Sequence, residues 1–278
     1  MQKKNRAFEL DALRGLALFL MICHHAIFDF RYLLGINVFA FQDTDWFNYI
    51  LQPLFLCIFI AVSGICCQFS RNNLKRSLKL LILAMVFSTA MALFSLYSKQ
   101  DLYVFFNILH LLTVGTFLFG ILSMCEERQQ KKTMEASVSV TDSAPSEDAA
   151  DIVPLSSKVN IALIIFASAI ILSDQLRDVY RFDVQSYWLL PLGFLPKNYI
   201  SMGDYLPILP WLGFFFVGVV IGRIGYRGKH TLFHRAPKAV KLIASPFEWF
   251  GRNSLVIYLV HQPILLAILY GLRYLGVW

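Results

Sequence analysis

Two ionisable side chains lie eleven positions apart in the first apolar segment of the chain. Arg14 stands at its start, and His25 lies near its end, followed by Asp29 one helical turn later. At 1.5 Å of rise per residue, a helix places His25 roughly 16 Å beyond Arg14 and sets His25 and Asp29 on one face. A carboxylate beside an imidazole orients the ring and stabilises its protonated form, as a general base requires. The spacing therefore predicts an acid–base centre at His25 and Asp29.

Further polar residues interrupt or border other apolar segments at depths compatible with the same cavity. Asn107 and His110 lie near the outer end of one segment, His261 near the middle of the last, and Asp204 and Trp211 flank the proline-rich opening of another. Ionisable groups inside a membrane span are costly and usually face a cavity or a partner. We predict that the two histidines join the catalytic centre and that the other three residues bind substrate. For each residue taken alone, a packing role is the alternative.

A second group of residues belongs to the opposite end of the spans. Arg252, Asn253 and Ser254 open the last apolar segment, and Asn253 or Ser254 is placed to cap the helix that follows. A helix N-terminus presents unpaired N–H groups and the positive end of the helix dipole to an anion. With Arg14, these three residues predict a site for an anionic cofactor such as the phosphates of a CoA thioester. The alternative is that both arginines are structural, Arg14 paired with a neighbouring carboxylate.

Membrane-spanning helices must hold these side chains. Of the 278 residues, 57% are apolar and 15% are charged, whereas soluble domains average about 50% and 25%. Most of the apolar stretches approach the roughly 20 helical residues that cross a hydrocarbon core about 30 Å thick. A soluble helical bundle would need polar stripes that they lack, so we predict an all-α, polytopic bundle of about seven spans. The stretches are 16–22, 49–69, 78–96, 102–125, 159–172, 208–221 and 255–270.

The distribution of basic residues predicts the orientation in the membrane. The net charge is +7, and with a cytoplasmic N-terminus most lysines and arginines fall on the cytoplasmic side. This is the positive-inside asymmetry, so a nucleic-acid partner is not needed to explain the charge. The five cysteines show no paired spacing, and we expect no metal site. The basic residues in the segments predicted to lie outside are only Arg31, Lys99, Arg177, Arg181, Lys197 and Arg273.

The chain divides at a polar stretch. Residues 1–125 carry four predicted spans, and residues 159–278 carry an aromatic outer segment and three more. Between them, 126–158 is rich in small polar and acidic residues, which predicts a disordered cytoplasmic linker. The outer segment, 173–204, mixes charges with aromatics and prolines; it either covers a site or forms an ordinary interfacial loop.

Several short motifs follow one another along the chain: residues 9–15 with His25, Ser63-Gly64, Asn107-Ile-Leu-His110, the stretch 204–211 and the stretch 251–263. Taken in order, they resemble those of bacterial heparan-α-glucosaminide N-acetyltransferase-like membrane proteins and, through them, of the transmembrane acyltransferase superfamily that includes the acyltransferase-3 proteins. The resemblance covers nearly the whole chain apart from the linker.

The resemblance implies transfer of an acetyl or other acyl group from cytoplasmic acyl-CoA to a sugar amine or hydroxyl on the far side of the membrane. Acyltransferase-3 proteins carry an arginine followed eleven positions later by a histidine taken as the base, which implies that role for His25. In the lysosomal heparan enzyme the essential histidine lies in the outer loop after the first span, where this chain offers Asp43 and Asp45 instead. The implied location is the plasma (inner) membrane of a bacterium, with acetyl-CoA as co-substrate and a glycan or small molecule as acceptor; a homo-oligomer is left open.

Two other classes of protein fit the polar residues within the spans. A transporter or flippase of an envelope glycan or small anion would line its pathway with such residues, although the internal repeats frequent in transporters are not visible. A haem-binding electron carrier would need axial histidine pairs, which the sequence cannot assign. Thiol release from acetyl-CoA distinguishes the enzyme from the transporter, and an absorbance spectrum tests the haem protein.

Overall fold

Helices form all the regular structure in the part of the chain that the structure, a computed structural model, describes: residues 7–36, 38–98, 103–138, 157–179, 187–196, 204–226, 230–233 and 235–276. Each apolar run forms a helix, since a helix satisfies the hydrogen bonds of its own backbone within lipid. Polar and charged residues separate these runs. The α-helices in chain order are α1 (Phe8–Phe28), α2 (Gln52–Ile65), α3 (Asn73–Ser98), α4 (Ile108–Val138), α5 (Ser157–Val179), α6 (Trp211–Gly225), α7 (Lys238–Arg252) and α8 (Ser254–Tyr274).

Short helical pieces of other kinds extend or join these helices. A π-helical turn over Asp29–Leu33 continues α1, and another over Phe47–Leu51 leads into α2. Single 3-10 helices occupy Ala40–Asp43, Cys66–Phe69 and Tyr187–Leu192. The loop after the first span is therefore partly helical.

Six helical segments are long and apolar enough to cross a membrane, and α6 is a shorter apolar helix. This confirms the predicted all-α, polytopic bundle of about seven spans. The long segments are Phe8–Tyr32, Phe47–Phe69, Asn73–Tyr97, Ile108–Glu135, Ser157–Gln175 and Ser254–Tyr274.

The chain forms two compact units, each described by itself. The first joins Met1–Cys66 to Gly225–Trp278, and the second is Cys67–Ile224. In the first unit, α1 packs against α2, α7 and α8, and its closest neighbour is α7. In the second unit, half of the most apolar stretch of α4 is buried, against 11% for α3 and 17% for α5. Most residues of the shorter helix α6 are also buried, so α4 and α6 form the core of that unit.

Small residues allow the helices of the second unit to approach closely. A side chain at Gly115 of α4 would meet the ring of Phe215 on α6 at 2.7 Å, and one at Gly213 of α6 would meet the carbonyl of Ala167 on α5 at 2.8 Å. Close packing of this kind drives the association of helices in lipid, where the removal of apolar side chains from water contributes little.

Part of the predicted linker is helical. The helix α4 continues through the first residues of the predicted linker to Val138, and α5 begins at Ser157, so residues 126–138 and 157–158 are helical. Good helix formers of both charge signs occupy this stretch, and they extend the helix beyond its apolar part. The remainder of the predicted linker, 139–156, lies outside the described residues, as does most of the outer segment between 180 and 203.

Candidate active site

Two histidines and a carboxylate meet where α1 and α8 pack in the first unit. His25 lies in the last turn of α1, and Asp29 opens the π-helical turn that continues it. The ring centroids of His25 and His261 are 5.2 Å apart. Gln262 Nε2 donates to both carboxylate oxygens of Asp29, at 3.0 and 3.2 Å, and an electrostatic interaction links Asp29 to His25. Three predicted catalytic residues are thus neighbours.

The hydrogen bond made by His261 fixes which of its nitrogens carries a proton. His261 Nδ1 lies 2.5 Å from the carbonyl oxygen of Tyr258. A carbonyl only accepts, so Nδ1 donates, and the neutral ring presents its lone pair at Nε2. His261 is 7% exposed and Asp29 is 4% exposed. Proton transfer in this cluster would therefore take place largely out of bulk water.

His24 connects the loop that follows the first span to helix α1. Gln42 Nε2 donates to His24 Nδ1 at 2.5 Å and to the His24 carbonyl at 3.1 Å. Nearby, Asp43 pairs with Arg31 and accepts a hydrogen bond from Tyr32 at 2.7 Å. His24 and Asp43 are therefore engaged in holding the loop over the end of α1. The sequence did not suggest a role for Gln42, since a lone glutamine in a loop carries no pattern.

In the second unit, Asn107 and His110 form one cluster at the start of α4. Asn107 Oδ1 accepts from the backbone amides of Leu109 at 3.1 Å and His110 at 3.4 Å, which caps the helix. The same oxygen lies 2.9 Å from His110 Nδ1, and the His110 ring stacks on Phe106 at 5.3 Å. Asn107 is fully buried, yet its Nδ2 finds no acceptor among the described residues. The Asn107 side-chain amide is therefore a buried hydrogen-bond donor that could bind a ligand.

A backbone hydrogen bond joins the segment before α6 to the residue next to this cluster. The backbone amide of Leu206 donates to the carbonyl of Phe106 at 3.1 Å. Asp204 lies in the turn that precedes this contact, and Trp211 is the first residue of α6. Thus the residues predicted to bind substrate share one end of the second unit. Their predicted convergence with His25 stays a prediction.

The two arginines predicted to bind an anion already have partners. Arg14 Nη2 donates to Cys66 Sγ at 2.7 Å. Arg252 Nη2 donates to Glu248 at 2.5 Å, and its Nε lies 3.6 Å from a carboxylate oxygen of Asp11. The Arg252 side chain remains 48% exposed. An anion binding here would compete with two carboxylates for Arg252.

The predicted capping of α8 is wrong. Asn253 is the N-cap residue, but α8 has no side-chain cap. Instead, Asn253 Nδ2 donates back to the carbonyl of Trp249 at 2.9 Å. Since α7 ends at Arg252 and α8 begins at Ser254, the two helices are nearly continuous, and the backbone amide of Asn253 also bonds Trp249. The sequence analysis did not predict α7, because its charged residues keep it out of the long apolar stretches.

Glu9 connects the loop between α6 and α7 to the start of α1. Its carboxylate accepts from Thr231 Oγ1 at 2.6 Å, the backbone amide of Leu232 at 2.8 Å and the Tyr226 hydroxyl at 3.3 Å. Burial, together with the charge of Glu9 and the hydrogen bond to it, raises the pKa of Tyr226 well above its usual range. The phenol is therefore a neutral donor at physiological pH.

A buried arginine that the sequence analysis did not single out joins three helices of the second unit. Arg223 of α6 is 2% exposed. It donates through both terminal nitrogens to the carboxylate of Glu126 on α4, each at 2.7 Å, and through Nε to Asn160 on α5 at 2.7 Å. This forked geometry is what guanidinium and carboxylate groups favour. The only available signal was a charged residue at the end of an apolar helix.

Comparison with known proteins identifies one family. The family described as "Heparan-alpha-glucosaminide N-acetyltransferase, catalytic" matches residues 6–138 and 151–263. The match includes every predicted site residue and omits 139–150, in the middle of the predicted linker. No match is found among curated proteins or among solved structures. In the described part of the chain, histidine, cysteine and carboxylate side chains form no group of three or more suited to a metal ion.

Proposed function

The chain belongs to the heparan-α-glucosaminide N-acetyltransferase catalytic family, and on that premise we propose that it moves an acetyl group from acetyl-CoA to a sugar amine or hydroxyl at the outer face of a bacterial plasma membrane. Membership and the apolar helices make it an acetyltransferase-type, multi-pass membrane enzyme. The observation that supports the chemical proposal is the cluster in which half-buried His25 meets the buried Asp29 and His261.

His25 is assigned the role of general base. It takes the proton from the acceptor hydroxyl or amine as that group attacks the thioester carbonyl. The new bond to the acetyl carbon forms, the carbon–sulfur bond breaks, and the CoA sulfur leaves and takes the proton back from the imidazolium. Asp29 stabilises that imidazolium, and the amide of Gln262 holds the carboxylate in place.

The other polar groups are assigned to stabilising charge and binding substrate. His261 reaches its neighbours through Nε2, because Nδ1 is committed to the Tyr258 carbonyl. The neutral ring accepts at Nε2; only the imidazolium, formed by uptake of a second proton from solvent before the reaction, could donate from Nε2 to a developing oxyanion. In the second unit, the buried Nδ2 of Asn107 has the properties of a substrate-binding donor, and His110, Asp204 and Trp211 accompany it.

Arg14 and Arg252 are assigned to the phosphates of acetyl-CoA. Both belong to the first unit, and Gly15 and Gly251 beside them bring α1 and α7 into backbone contact. Guanidinium groups match phosphate oxygens in geometry as well as charge. With the N-terminus in the cytoplasm, as predicted, acetyl-CoA would enter from that side.

Thiol release from acetyl-CoA by the purified, full-length protein in lipid nanodiscs tests this function. A panel of amino sugars and envelope glycans supplies the acceptor. We expect His25→Ala to lower acetyl transfer by about 10²–10⁴-fold. His230→Ala, which changes an exposed histidine outside the spans, is the matched control.

Two outcomes would contradict the proposal. Wild-type transfer by a folded His25→Ala protein would remove His25 from the mechanism. Absence of both acetyl-CoA binding and thiol release with every acceptor would favour the alternative, a transporter or flippase of an envelope glycan or small anion. Elution on size exclusion establishes that each variant is folded.

A further inference from the structure

The helix α7 has three distinct faces. One face packs on α1: Phe247 lies 6.0 Å from the ring of Phe19, and Gly251 abuts the backbone of Asp11. This face accounts for the close approach of the two helices. It leaves the other two faces of α7 to be explained.

The second face is apolar and exposed. Leu242 is 76% exposed, Ile243 is 71% exposed and Trp249 is 60% exposed. The prolyl ring of Pro246 lies between them at helical spacing, and it too is exposed. Large apolar side chains clustered on one exposed helix face indicate a contact with a partner or a membrane.

The third face is basic. Lys238, Lys241 and Arg252 recur at three- and four-residue steps or multiples of them, and Glu248 is the acidic residue among them. Lys241 Nζ lies 5.8 Å from the ring of Phe8, at the first turn of α1. Lysines on one face and large apolar groups on another are the pattern of a helix lying in a membrane interface.

The position of α7 beside two membrane-spanning helices indicates that its exposed faces contact the membrane. The spanning helix α8 begins at Ser254, two positions after α7 ends, and α1 touches α7 through its first turns. Both helices are candidate membrane spans. Thus α7 is attached at the end where α1 and α8 enter the bilayer.

We propose that α7 is an interfacial helix that binds anionic phospholipid in the leaflet where α1 and α8 begin. Leu242, Ile243 and Trp249 enter the boundary between headgroups and acyl chains. Lys238 and Lys241 contact lipid phosphates. On the predicted orientation this is the cytoplasmic leaflet, whose anionic lipids attract basic segments. The proposal does not depend on the acetyl-transfer reaction.

Fluorescence of Trp249 tests the apolar part. Its signal is the difference between the wild-type protein and Trp249→Phe, each in nanodiscs. We expect phospholipids brominated on their acyl chains to quench this signal and water-soluble acrylamide to leave it nearly unchanged. Quenching by acrylamide alone would place the residue in water. Protection from both quenchers would mean that protein, for example a second copy, covers the face; either result overturns the proposal.

The charge part is tested with brominated anionic and brominated neutral lipids. Replacing Lys238 and Lys241 by glutamine should lower the ratio of anionic to neutral lipid at Trp249 by about fivefold for each lysine, equal to about 1 kcal/mol. Ser245→Gln is the matched control, since it adds the same side chain to the helix without removing a charge. An unchanged ratio in the lysine variant would refute the contact with lipid phosphate.

Discussion

Gly15 of α1 and Gly251 of α7 are reciprocal contacts of one helix crossing. A methyl group at Gly15 would overlap the carbonyl of Phe247, and one at Gly251 would overlap the carbonyl of Asp11. Arg14 and Arg252 are the immediate neighbours of these glycines in the sequence. The close crossing therefore sets the positions of both arginines that we assign to acetyl-CoA.

Alanine at either glycine of this crossing should destabilise the protein. Backbone cannot move aside as a flexible side chain can, so we expect Gly15→Ala or Gly251→Ala to lower stability by about 3 kcal/mol or more. Thermal unfolding in detergent, followed by size exclusion, measures the loss. Gly271→Ala is the control, because nothing lies within 4 Å of the added methyl; it should stay within about 1 kcal/mol of wild type. Equal melting temperatures for all three variants would show that the helices are not in backbone contact.

The ion pair between Arg223 and Glu126 should contribute strongly to the stability of the second unit. Glu126→Gln leaves a guanidinium that is 2% exposed without its counter-charge, at an expected cost of about 3 kcal/mol. Glu127→Gln changes the adjacent, exposed glutamate of the same helix and should cost less than about 1 kcal/mol. The same thermal assay compares them. A Glu126→Gln protein as stable as the Glu127→Gln protein would contradict the buried pair.

Much of the fold could be predicted because apolar spans are a property of composition and length. Each predicted stretch lies largely within an observed helix, and the all-α class is confirmed. The helix α7 could not be found in this way, since its apolar and basic residues average to a polar segment. The continuation of α4 beyond residue 125 was not predicted either, because its composition is polar and its contact with Arg223, through Glu126, comes from a residue remote in sequence.

Local spacing predicted part of the site, and long-range contacts determined the rest. The four-residue step from His25 to Asp29 was visible in the sequence, as was the closeness of Asn107 to His110 along the chain. The approach of His261 to His25 depends on how α8 packs on α1, which no local pattern encodes. Gln42, Gln262 and Asn160 were missed for the same reason: a single amide becomes informative only when its partner is known.

Gln262 should act as a positioning residue for Asp29. Gln262→Leu removes the amide that donates to both oxygens of a buried carboxylate, so we expect kcat for acetyl transfer to fall about tenfold with little change in KM for acetyl-CoA. Gln52→Leu, which changes a half-buried glutamine at the start of α2, is the control. A purely structural role would lower the melting temperature while leaving kcat per folded protein intact, and that result would remove Gln262 from the catalytic centre.

The carboxylates around Arg252 give the sharpest test of its role in binding acetyl-CoA. If Arg252 binds phosphate, Glu248 competes with the ligand for the same guanidinium. Glu248→Gln should then tighten binding of acetyl-CoA by a fewfold, whereas Arg252→Gln should weaken it by about tenfold, the usual size of one charge-assisted hydrogen bond. Arg235→Gln, at an exposed position before α7, is the control for a general loss of positive charge. Titration of acetyl-CoA into nanodiscs by calorimetry measures the affinity of all three variants.

Opposite shifts in affinity for the two neighbouring variants cannot come from loss of fold, because breaking one ion pair from either side would destabilise the helix in the same direction. Weaker binding in both variants would instead make the Arg252–Glu248 pair a structural contact and exclude Arg252 as a phosphate ligand.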